Sequence, residues 1–301
     1  MRTTLDDLLK AEGPILADGA MGTELMNMGL EGGESPVLWN ATQPEKVMAV
    51  HRAYIEAGAQ MILTNTFSGN RLRLELHGLG NRARELNQLG ASLARQAADA
   101  VDQGVVVAGD LGPTGHVLAP LGDLEYADAV DAFQEQVEAM ISVGIDAFWI
   151  ETMYDLEEVR AAVEGVRRVN SEVPIIATMT FDTNGRTMMG TTPEQASETL
   201  GTLGLVAQGG NCGNGVVEIL TVVEKMHAAS DERPLVAKAN AGIPHLGDDN
   251  MAHYDATPEA MGEYAVKAME QGARIIGGCC GSTPEHIRAM REALAGVTSQ
   301  S

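Results

Sequence analysis

The sequence predicts a closed (β/α)8 TIM barrel, a single α/β domain over residues 1–301, and three observations carry that prediction. Eight short β-rich apolar runs recur along the chain, each passing into a polar or glycine-rich loop. Between them lie stretches with apolar residues at i, i+3 and i+4, the period of a helix that buries one face. No composition break, charge block or long Ser/Pro linker divides the chain, so strand and helix alternate within one unit. An open doubly wound sheet is the competing arrangement. That fold places a G-x-G-x-x-G turn after its first strand, and "ADGAMGTEL" does not match it.

The elements follow in order. "MRTTLDDLLKAEG" carries acidic residues and lacks an apolar h-region, so it does not read as a secretion signal; residues 1–14 read as a short amphipathic helix. The first strand is "PILADG" near 15, and the helical "PEKVMAVHRAYIEAGA" leads to the second, "QMILTNTF" near 60. "RARELNQLGASLARQAADA" precedes "VVVAGD" near 105, and "DAFWIET" follows near 146. "DLEEVRAAVEGVRRVN" is the helix before "PIIATMTF" near 174. "LVAQGGNC" near 205, "PLVAKANAG" near 234 and "ARIIGGCC" near 273 complete the eight runs, and about 297–301 is expected to be a disordered tail.

A formal net charge of −22 argues against nucleic acid and anionic lipid as partners, because phosphate binding relies on Lys and Arg. No apolar stretch is long enough to span a membrane. Three cysteines are too few for a disulfide framework and suit a reducing cytoplasm.

Active sites of such barrels sit at the C-terminal ends of the strands. Those ends carry Asp18, Thr64, Asn65, Thr66, Asp110, Glu151, Thr180, Cys212, Asn240, Cys279 and Cys280. Polar residues close any strand, so the cysteines are the informative members. All three fall at the ends of the sixth and eighth strands, among glycines that free the backbone to aim them. They read either as buried small hydrophobes or as a metal site, and a vicinal disulfide between Cys279 and Cys280 is strained. Soft sulfur ligands select zinc, and three of them leave an open position, the mark of a catalytic site. Zinc held by three thiolates is a poor generator of hydroxide. A substrate thiol in the fourth position is deprotonated outright, which suits alkyl transfer to sulfur.

With these positions in place, the chain resembles the homocysteine S-methyltransferase family over nearly its full length. The nearest likeness is the homocysteine-binding barrel of cobalamin-dependent methionine synthase. The segments that carry it are "LADGAMGTEL", "HRAYIEAGAQMILTNTFSGN", "GDLGPTG", "WIETM", "TMTFDTNGRTMMGTTPE", "GGNCG", "KANAGIP" and "GGCCGSTPEHI". The resemblance implies zinc on Cys212, Cys279 and Cys280, and Asp18 and Glu151 on the amino-acid end of homocysteine. Backbone N–H groups of the turn at Gly19 suit the substrate carboxylate. Thr64, Asn65 and Thr66 are expected as secondary substrate contacts. Asn240 is either a weak fourth zinc ligand before substrate arrives or a turn residue. Asp110 and His116 read as architecture of the "GDLGPTGH" loop.

The expected activity is methylation of homocysteine to methionine through a zinc-bound substrate thiolate, with no separate protein base. No folate, corrinoid or activation module is expected in the chain. The methyl donor is therefore external: methylcobalamin on a separate corrinoid protein in a split methionine synthase, or a small onium compound such as betaine or S-methylmethionine. Aromatic residues make up only 4% of the chain, too few to favour an aromatic cage for an onium donor. Two readings from other classes remain: a barrel with Mg²⁺ on Asp18, Asp110 and Glu151, and a zinc-binding scaffold without catalysis.

Overall fold

The computed structural model describes residues 2–229, 233–247 and 252–298. Eight parallel strands form its centre: β1 (Ile15–Leu16), β2 (Met61–Leu63), β3 (Val106–Leu111), β4 (Ala147–Met153), β5 (Ile175–Met179), β6 (Ala207–Cys212), β7 (Leu235–Ala239) and β8 (Ala273–Gly278). β2 to β8 pair in sequence order, and β8 pairs with β1. The ring closes between β1 and β2 through the Ala17–Met61 bridge, with Asp18 N–H donating to the Met61 carbonyl at 3.0 Å. This is a (β/α)8 barrel.

One long helix follows each strand and covers it: Pro44–Ala57, Ala83–Asp99, Tyr126–Ile141, Leu156–Val169, Pro193–Gly201, Val216–Ala229, Pro258–Glu270 and Pro284–Thr298. Local chemistry sets their ends. Thr192 caps its helix through Gln195, with proline at the first helical position, and Thr257 does the same through Ala260. Asp155 caps the helix after β4, accepting from Glu157 N–H. Gly58, at φ 110°, ends the first long helix in a left-handed turn that a side chain would strain.

Side-chain alternation divides the barrel interior into layers. Ile15, Ala17, Met61, Leu63, Val106, Ala108, Trp149, Ile176, Val236 and Ile275 belong to one buried cluster that fills the lumen. The N-terminal helix is observed at Leu5–Lys10, with a capping box between Thr4 and Asp7. Its Leu5 and Leu8 join the same cluster, so it plugs the N-terminal end of the barrel. Arg274, at the start of β8, donates to the Leu8 carbonyl at 2.9 Å and holds the plug in place. At the other end of the chain, the last helix runs through Val297 to Thr298, into the expected tail; residues 299–301 lie outside the described residues. No helix among the described residues is long and apolar enough to cross a membrane.

Candidate active site

Cys212 closes β6, and Cys279 and Cys280 follow β8 directly. All three are free thiols, half-buried, with their sulfurs within 4.8 Å of one another. Two backbone devices bring this about. Cys212 has φ 64°, a left-handed conformation rare for a residue with a Cβ, which turns its side chain off the strand's alternation. Beyond β8 the chain folds into a tight turn, with Ser282 N–H donating to the Cys279 carbonyl at 3.1 Å. Gly278 and Gly281 permit that turn: a Cβ on Gly278 would sit 2.2 Å from Ser282 Oγ, and one on Gly281, at φ 78°, 2.3 Å from Tyr254 Cγ. The turn is tied to β7, because Cys279 N–H donates to Ala239 at 2.7 Å and Ala241 N–H to Cys280 at 2.9 Å.

The sulfurs lie close enough to hydrogen-bond one another. Donation from Cys212, then from Cys279, pushes the Cys280 thiol well below its usual range, with a further hydrogen bond from the Tyr254 hydroxyl. Asn211 reaches the cluster from β6, with Nδ2 at 3.8 Å from Cys279 Sγ and 2.7 Å from Thr152 Oγ1. Thr152 is at φ 61°, and that turn lets its N–H donate to Asn211 Oδ1 at 2.8 Å. The strained end of β4 is thereby joined to the end of β6. Asn240 is buried beside this rim; its Nδ2 donates to the Gly213 carbonyl at 2.7 Å, and its Oδ1 has no hydrogen-bond partner among the described residues.

Below the thiols lies a charged layer. Continuing the lumen positions by two residues gives Asp110 after Ala108, Glu151 after Trp149 and Lys238 after Val236. Lys238 Nζ is 3.3 Å from Asp18 Oδ1 and 3.8 Å from Glu151 Oε2, and 5.2 Å from the centre of the Trp149 ring. Asp18 is held from the other side by Leu63 N–H at 2.7 Å. Glycine makes room for the lysine: Gly277 is its register partner on β8, and a Cβ there would meet the Asp18 carbonyl at 2.9 Å and Lys238 Cγ at 3.3 Å.

The electrostatics follow from burial. Desolvation raises Asp18 against the pull of Lys238, and it pushes Glu151 up to about 7. Asp110 is driven well above the carboxylate range by burial and then by Glu151. Burial works against the Lys238 charge, but Asp18 and Glu151 outweigh it and hold the ammonium above its usual pKa.

The structure therefore joins Asp18 and Glu151, as the sequence leads one to expect, but around a lysine that sequence reasoning missed. The signal was a charged residue in the middle of the apolar run "PLVAKANAG". Asp110 also needs correction: it belongs to β3 and to the lumen layer, not to loop architecture. The "GDLGPTGH" loop is instead anchored by Glu158, whose Oε1 accepts from Thr114 N–H at 2.7 Å and Thr114 Oγ1 at 2.6 Å. Thr64 and Thr66 place their hydroxyls 2.6 Å apart, and both engage the Asp110 backbone. Asn65 donates to Pro36 and Asn40. Those three side chains prop up the site; Gly19 lies beside it, packed so closely on Tyr54 that a Cβ would fall 2.8 Å from the ring.

This arrangement can be set beside known proteins. The model of the homocysteine S-methyltransferase family matches residues 15–294. The chain belongs to that family. It is 36% identical over 312 residues to the methionine synthase of Mycobacterium tuberculosis and 35% identical over 308 residues to that of Mycobacterium leprae. Those matches cover 98% and 96% of this chain but only 26% and 25% of the relatives, so the chain spans about a quarter of their length. Among solved structures, the homocysteine methyltransferase MmuM from Escherichia coli in its metallated form superposes with a TM-score of 0.81 at 25% identity. That match covers 96% of this chain and 99% of the other. Its oxidized form gives a TM-score of 0.77 at 27% identity, covering 97% and 99%.

Proposed function

We propose that the protein transfers a methyl group to the sulfur of homocysteine, giving methionine, with zinc held by Cys212, Cys279 and Cys280. The observation that carries this reading is the approach of three free thiols to within 4.8 Å at the strand ends. A tetrahedral zinc with sulfur at about 2.3 Å needs ligands roughly 3.8 Å apart, a spacing compatible with three sulfurs that lie within 4.8 Å of one another. Sulfur-only donors on three corners suit zinc and leave a fourth corner for the substrate. When bound there, zinc supplies the Lewis acidity that keeps a substrate thiol deprotonated at neutral pH.

The chain's own residues do the rest. Asp18 and Glu151 take the substrate ammonium through charge-assisted hydrogen bonds, and the backbone at Gly19 takes its carboxylate. Asn211, fixed by Thr152, holds Cys279 in place. Asn240 offers its free Oδ1 to the same rim, and is the candidate fourth ligand in the absence of substrate. In the transfer a sulfur lone pair forms the new S–C bond while the methyl–donor bond breaks. Its electron pair leaves with the donor, and the thiol proton goes to solvent.

For the donor we favour methylcobalamin on a separate corrinoid protein. Leu121, Met188, Val217 and Ile243, on segments that follow β3, β5, β6 and β7, are 61–75% exposed around the mouth of the barrel. An apolar rim of this kind suits a protein surface. A small onium donor is the second reading, supported by Tyr254 beside Cys280. Against it, Trp149 and Phe181 are fully buried and Trp39 is covered by Lys46, which leaves few rings for a cage. A donor screen with homocysteine and zinc-loaded protein tests both: turnover with a methylated corrinoid protein supports the first, and turnover with betaine or a sulfonium alone the second. Stoichiometric zinc with no thiol methylation from any donor overturns the activity and leaves a scaffold.

A further inference from the structure

The charged layer of the lumen holds more acid than the reading above uses. Asp18 and Glu151 already have a resident cation, Lys238, at 3.3 and 3.8 Å. Asp110 shares the layer, is only 5% exposed, and its Oδ1 is buried without a hydrogen-bond partner among the described residues. Glu151 Oε2 is also buried and, among the described residues, accepts no hydrogen bond, its nearest cation being Lys238 at 3.8 Å. Acceptor oxygens removed from water and left unpaired cost free energy unless something donates to them. The fold also fixes Asp110 with unusual care. Its N–H donates to Thr64 Oγ1 at 3.0 Å, and its carbonyl accepts from Thr66 Oγ1 at 2.8 Å and Gln136 Nε2 at 3.3 Å.

Counted as groups, the layer sets three carboxyls against one ammonium, and without ligand burial meets that shortage of cation by raising Asp110 and Glu151 towards their neutral forms. A carboxylate or a neutral ligand does not relieve that shortage; a second ammonium does, and it brings three N–H donors for the open oxygens. We propose that Asp110 is a third acid of the substrate-ammonium pocket, with Lys238 as the built-in counter-ion that lets three carboxyls stand in one buried layer. This rests on the homocysteine reading and deepens it, making the ammonium the substrate feature this site selects most strongly.

The test is equilibrium binding to zinc-loaded protein, by calorimetry, for wild type and Asp110→Asn. Four ligands separate the contributions: homocysteine, 3-mercaptopropylamine (no carboxylate), 4-mercaptobutyrate (no ammonium) and 2-aminobutyrate (no sulfur). Asp110→Asn should weaken the three ammonium-bearing ligands by about tenfold or more, the usual size of a lost charged contact, and leave 4-mercaptobutyrate unchanged. Zinc content should stay the same. Equal weakening of all four ligands, or weakening of none, overturns the proposal. Should the asparagine variant fold poorly, Asp110→Ser applies the same test with a smaller side chain. If homocysteine binds no better than 2-aminobutyrate, sulfur ligation fails while the Asp110 effect on 2-aminobutyrate still decides this inference.

Discussion

The two ends of the barrel are built on opposite principles. At the N-terminal end, Leu5 and Leu8 fill the lumen, and Arg2 and Arg95 both pair with Asp146, at 2.7 and 2.8 Å. Apolar surface is covered there and the buried charges have partners. At the C-terminal end, three non-glycine residues among those described sit in left-handed conformations, Thr152, Asn184 and Cys212. Among the described residues, buried oxygens of Asp110, Glu151 and Asn240 accept no hydrogen bond, and apolar side chains stand exposed. One mouth is closed by apolar packing and ion pairs; the other combines left-handed backbone with buried acceptor oxygens open to a donor, which is what a ligand site consists of.

That contrast breaks most sharply at the thiols. Cys279→Ser or Cys280→Ser should abolish stoichiometric zinc and cut turnover by about a thousandfold or more, yet shift Tm little in metal-free protein, since rim loops add little to the core. Leu5→Ala should do the reverse: a loss of roughly 2–5 kcal/mol in denaturant unfolding with zinc content intact. A zinc-replete, active Cys279 variant would remove the division of labour between the two ends.

Lys238→Met tests whether the charged layer behaves like the rim or like the core. Removing one partner of a buried ion pair costs about 3–5 kcal/mol, so this variant should be markedly less stable in urea. An unchanged unfolding midpoint would mean that Asp18 and Glu151 do not depend on their lysine.

Glu151→Gln should raise KM for homocysteine by roughly ten- to a hundredfold, as loss of a charge-assisted contact worth about 1.5–3 kcal/mol predicts. Bound zinc should be unaltered. If KM is unaltered, the carboxylate belongs to the architecture.

The smallest effect is in the pH dependence of metal-free, substrate-free protein. Burial raises Glu151 to about 7 in the fold, above its value of 4.5 when unfolded. The folded state therefore binds the proton more tightly, and that contribution to stability is present at low pH and lost as pH rises through about 7. Tm should fall by a few degrees between about pH 5 and 8. The slope should be shallower in Glu151→Gln. In zinc-loaded protein, homocysteine binding should release about one proton near pH 7, counted by calorimetry in buffers of different ionisation enthalpy, and methionine should release none.

The barrel was legible in the sequence because its signals are local and repeated: β-rich runs of "VVVAGD" type alternate with stretches of helical period. The thiol site was legible because the barrel rule sends every strand end to one face, so Cys212 meets Cys279 and Cys280 across 67 residues without any knowledge of loop paths. Asp18 and Glu151 stood out through the same rule together with family likeness. The role of Asp110 did not. A polar residue closing an apolar run looks the same whether it starts a loop or faces the lumen, and one position of register decides which.

Sequence by itself determined the periodicity, the handover from strand to loop, and the chemistry available at each strand end, since these depend on neighbours a few residues away. Only the tertiary structure decided what those groups face. Lys238 pairs with Asp18 across 220 residues, over a Trp149 ring from a third strand and past the space left by Gly277 on a fourth. The helix at Leu5–Lys10 is a weak amphipathic segment on paper and becomes a plug only where an open barrel end awaits two leucines. Burial, which sets the charge of Asp110 and Glu151, belongs to the closed ring as a whole: it arises where eight strands remove water from one lumen, and no single strand carries it.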